Sequence, residues 1–77
     1  MEEFNRAREI RLTNHTLKRI SDRGISREVL EDAVRSSGRV IREATVFRIE
    51  RVIEDKTLVV YVKAKADFNL VITYWIQ

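Results

Sequence analysis

The stretch that decides the fold is residues 58–76, LVVYVKAKADFNLVITYWI, in which two β-strand patterns flank a short polar turn. Alternate residues of a strand point to opposite faces of a sheet, so each pattern predicts two distinct faces. The first strand is expected to place Leu58, Val60 and Val62 on one face and Val59, Tyr61 and Lys63 on the other. The second is expected to place Leu70, Ile72, Tyr74 and Ile76 on one face and Val71, Thr73 and Trp75 on the other. The short turn predicts that the two strands pair antiparallel.

A third strand pattern lies upstream, in residues 40–53, VIREATVFRIERVI. This stretch is rich in β-branched residues, and Phe47, Ile49 and Ile53 share one parity. The polar residues 54–56, EDK, separate it from the next strand and predict a second short turn. Three strands joined by short turns predict an antiparallel meander.

Two helices are predicted before the meander. Thr13 or Asn14 can cap a helix over about residues 14–23, because their side-chain oxygens accept hydrogen bonds from the first turn. Gly24 suits the left-handed conformation that ends a helix, and Ser26 can cap the next one. The expected apolar stripe of the second helix consists of Val29, Leu30, Ala33 and Val34.

Ahead of the helices, EIRLT at residues 9–13 alternates as a short strand, whereas residues 1–7 show no period and leave open a loose segment. The expected order is therefore β-α-α-β-β-β in a single domain of 77 residues. Two helices are expected to pack on one face of a small antiparallel sheet, which gives an α+β fold with the other face open.

The composition limits the classes of function. The chain carries 15 Lys and Arg against 12 Asp and Glu, a net charge of +3 that permits an anionic partner without requiring one. A solvated, ion-paired surface is the other interpretation of these charges. With no Cys and one His the chain has no disulfide and cannot build a zinc site alone, so no metal or other cofactor is expected. We find no signal-peptide pattern and no apolar run of about 20 residues, so a cytoplasmic protein without a membrane partner is expected.

One helical segment carries residues suited to chemistry. In NHTLKRISDRGIS, residues 14–26, His15 is followed at intervals of four by Arg19 and Arg23. At about 100° per residue the three form a stripe about 12 Å long, offset from the apolar side marked by Ile20. An imidazole titrates near neutral pH, and two guanidiniums can hold an oxyanion or a phosphate beside it. The stripe is therefore suited to phosphodiester chemistry or to RNA contact.

Each of these three residues also has an ordinary structural interpretation. His15 can be an exposed residue of the first helical turn, and Arg19 can pair with Asp22 three positions on. Arg23 can stabilise the C-terminal end of the helix. Both interpretations stay open at this point.

The same segment carries a family resemblance. LTNHTLKRISDRGISREVLEDAV, then TLVVYVK, then VITYW, resembles the uncharacterised family called domain-of-unknown-function 4258, whose members look like H-a-x-x-R-x-x-x-R-G-I-s followed by a helix and three strands ending in v-I-T-x-Y. The resemblance covers roughly residues 9–76. It implies a RelE/ParE-like fold and kinship with toxins of bacterial and archaeal toxin–antitoxin pairs, with an antitoxin protein as a partner.

The resemblance also implies where a site would lie. His15, Arg19 and Arg23 match the family motif, and RelE-type nucleases use basic residues on the sheet and often a Tyr near the C-terminus. The residues expected to be catalytic are His15, Arg19, Arg48 and Tyr74. The residues expected to bind RNA are Arg23, Arg51, Tyr61, Lys63 and Lys65. Tyr74 shares the parity of the apolar residues and is equally suited to the core, and Tyr61 could stack on a base or pack across strands.

Three functions remain open from the sequence. The first is a RelE-like, metal-independent endoribonuclease that cleaves mRNA, either free or bound to the ribosome. It would use a base at the ribose 2′-OH, an acid at the leaving oxygen and cations at the phosphate. The second is a non-catalytic module of the same fold that binds RNA or a protein on the open sheet face. The third is a ParE-like gyrase poison. A homodimer is compatible with each of them.

Overall fold

The computed structural model describes residues 4–23 and 25–77, apart from the side chains of Arg23 and Ser37. The fold is α+β, with two helices on a five-stranded mixed sheet. The strands are β1 (Glu9–Leu12), β2 (Arg39–Glu43), β3 (Val46–Ile53), β4 (Lys56–Ala64) and β5 (Phe68–Ile76). The helices are α1 (Asn14–Arg23) and α2 (Arg27–Asp32), and α2 continues as a π-helical turn, Ala33–Ser37. No helix within the described ranges is long and apolar enough to span a membrane.

The sheet is mixed rather than antiparallel, which corrects the sequence-based expectation. The strand order is β1-β5-β4-β3-β2, and the edge strand β1 pairs parallel to β5, with Glu9 opposite Phe68. The other three pairings are antiparallel. A four-residue strand carries too little pattern to reveal its partner, so the sequence did not predict this pairing.

The expected single strand over residues 40–53 is wrong, because the chain turns in the middle of it. Glu43 pairs with Val46, and the two-residue turn between β2 and β3 contains Ala44 with φ 52°. Turns of this kind usually use Gly or Asn, and neither is present, so the stretch looked like one continuous strand. The predicted turn after β3 is confirmed, with Glu54 at φ 58°. The observed order is therefore β-α-α-β-β-β-β.

Both helices pack on one face of the sheet, which we call the covered face. Ser26 caps α2 as predicted, since its hydroxyl accepts from the Val29 backbone N–H at 3.2 Å. The predicted stripe of α2 is confirmed at Leu30, Ala33 and Val34, which are fully buried. The sheet contributes to this core mainly through Ile49, Leu58, Val60, Val62, Val71 and Tyr74.

A bulge in β5 changes the face that its residues were expected to occupy. Tyr61 pairs with Thr73 and Val62 with Val71, so Ile72 is an extra residue in β5. Val71 and Tyr74 consequently lie on the covered face together, and the expected grouping of Leu70 and Ile72 with Tyr74 is wrong. A bulge inserts one residue without any obvious compositional signature, which is why alternation failed here.

Two threonines fix α1 to this bulge. Thr13 caps α1, since its Oγ1 accepts from the Thr16 backbone N–H at 3.2 Å. The fully buried Thr16 hydroxyl lies 3.0 Å from the carbonyl oxygen of Ile72 and 3.2 Å from that of Val71. Thr13 Oγ1 also lies 3.1 Å from the Ile72 carbonyl oxygen. The bulge therefore supplies carbonyl acceptors that hold the start of α1 against β5.

The N-terminal segment is held against the covered side, so the loose segment left open for residues 1–7 is not found over residues 4–7, while residues 1–3 lie outside the described part. The Phe4 ring stacks on Phe47 with centroids 4.7 Å apart. Arg6 donates to the carbonyl oxygens of Ala33 and Val34 at 2.8 and 2.7 Å and to that of Gly38 at 2.8 Å. These bonds tie the N-terminal segment to carbonyl groups at the start of the π-helical turn and to Gly38, which follows that turn.

Candidate functional site

Arg19 and Tyr74, two of the residues expected to be catalytic, lie together on the covered face. The Arg19 guanidinium carbon is 5.6 Å from the centre of the Tyr74 ring, within the range of a cation–π contact. Tyr74 is 1% exposed and belongs to the core. Arg19 is half-buried, and its Nε–H has no hydrogen-bond acceptor among the described residues. The alternative expectation of an ion pair with Asp22 is not met.

His15 lies one helical turn before Arg19 on α1. It is exposed in the first turn of α1, and within the described part of the chain it makes no hydrogen bond or ion pair. Leu17, on the side of α1 expected to be buried, is 45% exposed. The expected role of Arg23 falls on a side chain that lies outside the described part of the structure.

Arg48 lies on the opposite face of the sheet, which we call the open face. It is the neighbour of the buried Ile49 in β3 and pairs in register with Tyr61 of β4, so both side chains point away from the helices. Its Nε donates to Glu50 at 2.8 Å, and its Nη1 is 3.9 Å from Glu43. Arg48 and the α1 stripe therefore lie on opposite sides of the sheet.

The charge of Arg48 is therefore largely matched by its neighbours. Partial removal from water lowers the pKa of its guanidinium, but hydrogen bonds with Tyr61 and Glu50 raise it more, so the net pKa lies above the ordinary value. Arg48 stays a cation and is a poor candidate for proton transfer. Two carboxylates also reduce its attraction for an added phosphate.

The open face carries an aromatic pair of which only one member, Tyr61, was among the predicted site residues. Tyr61 and Trp75 lie 5.1 Å apart between ring centres at 57°, and the Arg48 guanidinium is 5.9 Å from the Trp75 ring. Tyr61 donates its hydroxyl hydrogen to Glu43 at 3.2 Å. Trp75 was not among the predicted site residues. The sequence did carry a signal for it, because Trp75 alternates with Tyr74 and so was expected on the other face of the strand. Tyr61 was likewise expected on the face opposite Val60 and Val62.

A shallow hollow adjoins Tyr61 on the open face. Its volume is about 380 Å³. It is lined by Glu43, Ala44, Val46, Tyr61, Ile72 and Thr73. Apolar walls with one carboxylate at the rim suit a flat organic ring better than an anion.

The remaining predicted RNA-binding residues divide between the faces. Lys63 is exposed and lies two positions beyond Tyr61, which places it on the open face. Arg51 lies on the covered side and is paired with Asp32 at 2.9 Å, so it does not join the others. Lys65 sits in the turn after β4, where its backbone N–H donates to the Phe68 carbonyl at 2.8 Å.

A second cavity, of about 350 Å³, opens where α1 runs beside the end of β5. Its lining consists of Arg19, Lys56, Tyr74, Trp75, Ile76 and Gln77. Lys56 was not among the predicted site residues, because it lies at the start of β4, far from Arg19 in sequence. A larger groove nearby, of about 460 Å³, is mostly apolar and has Glu54 and Asp55 at its rim.

No group of three or more metal-ligating side chains occurs over the residues described here. Compared with protein-family models, with curated proteins and with solved structures, the chain finds no match.

Proposed function

We propose that this chain is a RelE/ParE-like domain that binds single-stranded RNA on the open face of its sheet without cutting it. The observation that carries the proposal is the Tyr61–Trp75 pair, with centres 5.1 Å apart, lying on the face that neither helix covers. Every base has a flat π surface, and stacking on an aromatic side chain contributes about 1–3 kcal/mol per base. The RelE/ParE-like part of the proposal is supported by the motif of α1 and by the packing of two helices on one face of a sheet.

Cations beside the pair support binding to a polyanion. Arg48 lies 5.9 Å from the Trp75 ring, and exposed Lys63 follows Tyr61 on the same face. Because Glu43 and Glu50 compensate Arg48, we expect few effective phosphate contacts. With about two contacts, the logarithm of the binding constant should fall with the logarithm of salt concentration at a slope of roughly −1.4.

The lack of an assembled catalytic group favours binding over cleavage. Cleavage by the expected residues requires His15 and Arg48 to approach one phosphate, and they lie on α1 and on the face of the sheet away from α1. A proton-transfer group must come within hydrogen-bonding distance of the atom that it serves. The non-catalytic module is therefore the better-supported function.

The only tryptophan of the chain is part of the candidate site, which gives a direct test. Titrating the intact protein with a single-stranded pentauridylate should quench Trp75 fluorescence, and an RNA duplex should do so much more weakly. Tyr61→Ala should weaken binding about tenfold, since one stacking surface is lost. Tyr61→Phe is the matched control, because it keeps the ring and removes only the hydroxyl bonded to Glu43. Equal affinity of wild type and Tyr61→Ala would contradict the proposal.

A RelE-like endoribonuclease neutralised by an antitoxin is a second candidate. One observation favours it, namely that Arg19 and Tyr74 are in contact at the rim of a cavity. Expression in a sensitive bacterium should then arrest growth and leave cut messages, and His15→Ala should remove both effects. Normal growth with intact mRNA, while the wild-type protein accumulates, would exclude this candidate.

A further inference from the structure

The cavity between α1 and the end of β5 is lined by two basic side chains. Two of its lining side chains, Arg19 and Lys56, are cations, and none of the described residues that line it is acidic. By contrast, Arg48 on the open face has carboxylates within 4 Å. No acidic side chain of its described walls therefore offsets these two cations.

Arg19 is built into this cavity with an unused donor. Its Nε–H is buried and lacks an acceptor within the described residues, while its guanidinium rests over the Tyr74 ring. A buried N–H without an acceptor is costly, and more so on a charged group. Arg6 shows the usual arrangement, since its guanidinium donates to three carbonyl oxygens. An acceptor supplied by a ligand would complete the hydrogen bonding of Arg19.

Lys56 provides a second cationic donor in the lining of this cavity. It lies at the start of β4 after a two-residue turn, is exposed, and has no ion pair among the described residues. Its ammonium group can donate up to three hydrogen bonds. A cavity of about 350 Å³ falls in the size range of small-ligand sites.

We propose that this cavity binds a phosphate-type oxyanion, held by the Arg19 guanidinium and closed over by the Lys56 ammonium. A phosphate monoester carries a charge of about −1.5 to −2 near neutral pH, which matches two cations better than a carboxylate does. Arginine also suits an oxyanion with several acceptors, because it can donate two parallel hydrogen bonds.

Trp75 connects this cavity to the aromatic pair. It lines the cavity and also lies 5.1 Å from Tyr61. A terminal 5′-phosphate of RNA can therefore occupy the cavity while the adjoining base stacks on Trp75. This part of the inference rests on the proposed function, whereas binding of free phosphate does not.

Calorimetric titration of the intact protein with inorganic phosphate tests the cavity by itself. Wild type should bind phosphate, and Arg19→Gln and Lys56→Gln should each weaken binding about tenfold. Lys18→Gln is the matched control, since this exposed cation neighbours Arg19 on α1 and does not line the cavity. If Arg19→Gln fails to fold, Lys56→Gln still tests the proposal, because Lys56 is exposed and can be changed without disturbing the core. Absence of phosphate binding by wild type, or an equal loss in Lys18→Gln, would overturn the proposal for free phosphate.

Pentauridylate with a 5′-phosphate, compared with the same oligomer ending in a 5′-hydroxyl, tests the RNA source. The 5′-phosphate should raise affinity about tenfold in wild type and give no gain in Lys56→Gln. If neither free phosphate nor the 5′-phosphate has an effect while both oligomers quench Trp75, the cavity proposal fails and RNA binding stands. If phosphate binds but neither oligomer quenches Trp75, the cavity binds free phosphate and RNA binding on the open face fails.

Discussion

The two faces of the sheet use the same strands for different purposes. In β4, Val60 and Val62 are fully buried in the core under the helices, whereas Tyr61 between them is half-exposed beside Trp75. Val52 of β3, which points away from the helices, is 73% exposed. A substitution on the covered face should therefore reduce stability, and one on the open face should mainly reduce binding.

The arginine on each face sharpens the contrast. Arg48 on the open face is ion-paired with Glu50 at 2.8 Å and lies near Glu43, while half-buried Arg19 on the covered side has no carboxylate partner among the described residues. The number of cations in a sequence thus says little about where an anion will bind. The neighbours that the fold brings to each cation decide its availability.

The largest effect on stability is expected from Leu30→Ala on the covered face. Leu30 is fully buried in the core, so truncation should leave a cavity and lower the free energy of unfolding by about 2–5 kcal/mol. Urea denaturation followed by circular dichroism measures this loss. Val52→Ala on the open face, at a residue that is 73% exposed, should cost less than about 0.5 kcal/mol. Similar losses for the two variants would break the distinction between the faces.

A smaller but still clear loss is expected when the N-terminal segment is detached. Arg6→Ala removes three hydrogen bonds to carbonyl groups at the start of the π-helical turn and just after it, and should cost about 2 kcal/mol. Arg39→Ala is the control, since Arg39 is exposed in the edge strand β2 and its side chain makes no hydrogen bond or ion pair with any described residue. Thermal denaturation of both variants gives the comparison. If Arg6→Ala is as stable as Arg39→Ala, the segment is loose after all.

Much of the covered face followed from sequence patterns, and its irregularities did not. The α2 stripe at Leu30 and the Ser26 cap were predictable because helical period and capping chemistry are local properties. The turn at Ala44 was hidden by a residue that seldom adopts positive φ. The bulge at Ile72 and the parallel pairing of β1 depend on tertiary contacts, which alternation along one strand does not encode.

The hydroxyl that fixes α1 to the bulge should contribute less than the core residues. Thr16→Val keeps the shape of the side chain but removes the donor to the Ile72 carbonyl, which also lies within hydrogen-bonding distance of Thr13. We expect a loss of about 1 kcal/mol in the free energy of unfolding. The same change at Thr73, half-buried on the open face, is the control and should cost less than half as much. A larger loss at Thr73 would contradict the anchoring role assigned to Thr16.

The smallest effect is expected at His15, the residue that first suggested chemistry. It is exposed and makes no hydrogen bond or ion pair in the described structure, so His15→Ala should change stability by less than about 0.5 kcal/mol. It should leave the affinity for pentauridylate within about twofold of wild type. Fluorescence titration of Trp75 measures the second quantity. A tenfold loss of affinity, or the loss of an RNA-cleaving activity, would contradict this prediction and show that His15 takes part in the functional site.

The candidate site was predictable only where it depended on the alternation of side chains between the two faces along one strand. Tyr61 and Lys63 were expected opposite the core, and they lie there. The compensation of Arg48 by Glu43 was not predictable, because it requires the hairpin that the sequence concealed at Ala44. The meeting of Arg19 with Lys56 joins residues distant in sequence across a cavity, and no local pattern reports it.

Methyl resonances of neighbouring residues offer the most direct test of the central claim, that the open face binds RNA. Val59 of β4, which is fully buried and pairs in register with Trp75, and half-buried Thr73 of β5 belong to the open face, whereas Val60 and Val62 on the other side of β4 lie in the core under the helices. In methyl NMR spectra of the intact protein titrated with single-stranded pentauridylate, we predict shifts of the Val59 and Thr73 methyl signals and unchanged signals from Val60 and Val62. Unchanged signals from Val59 and Thr73 at saturating RNA, or shifts confined to the covered face, would contradict it.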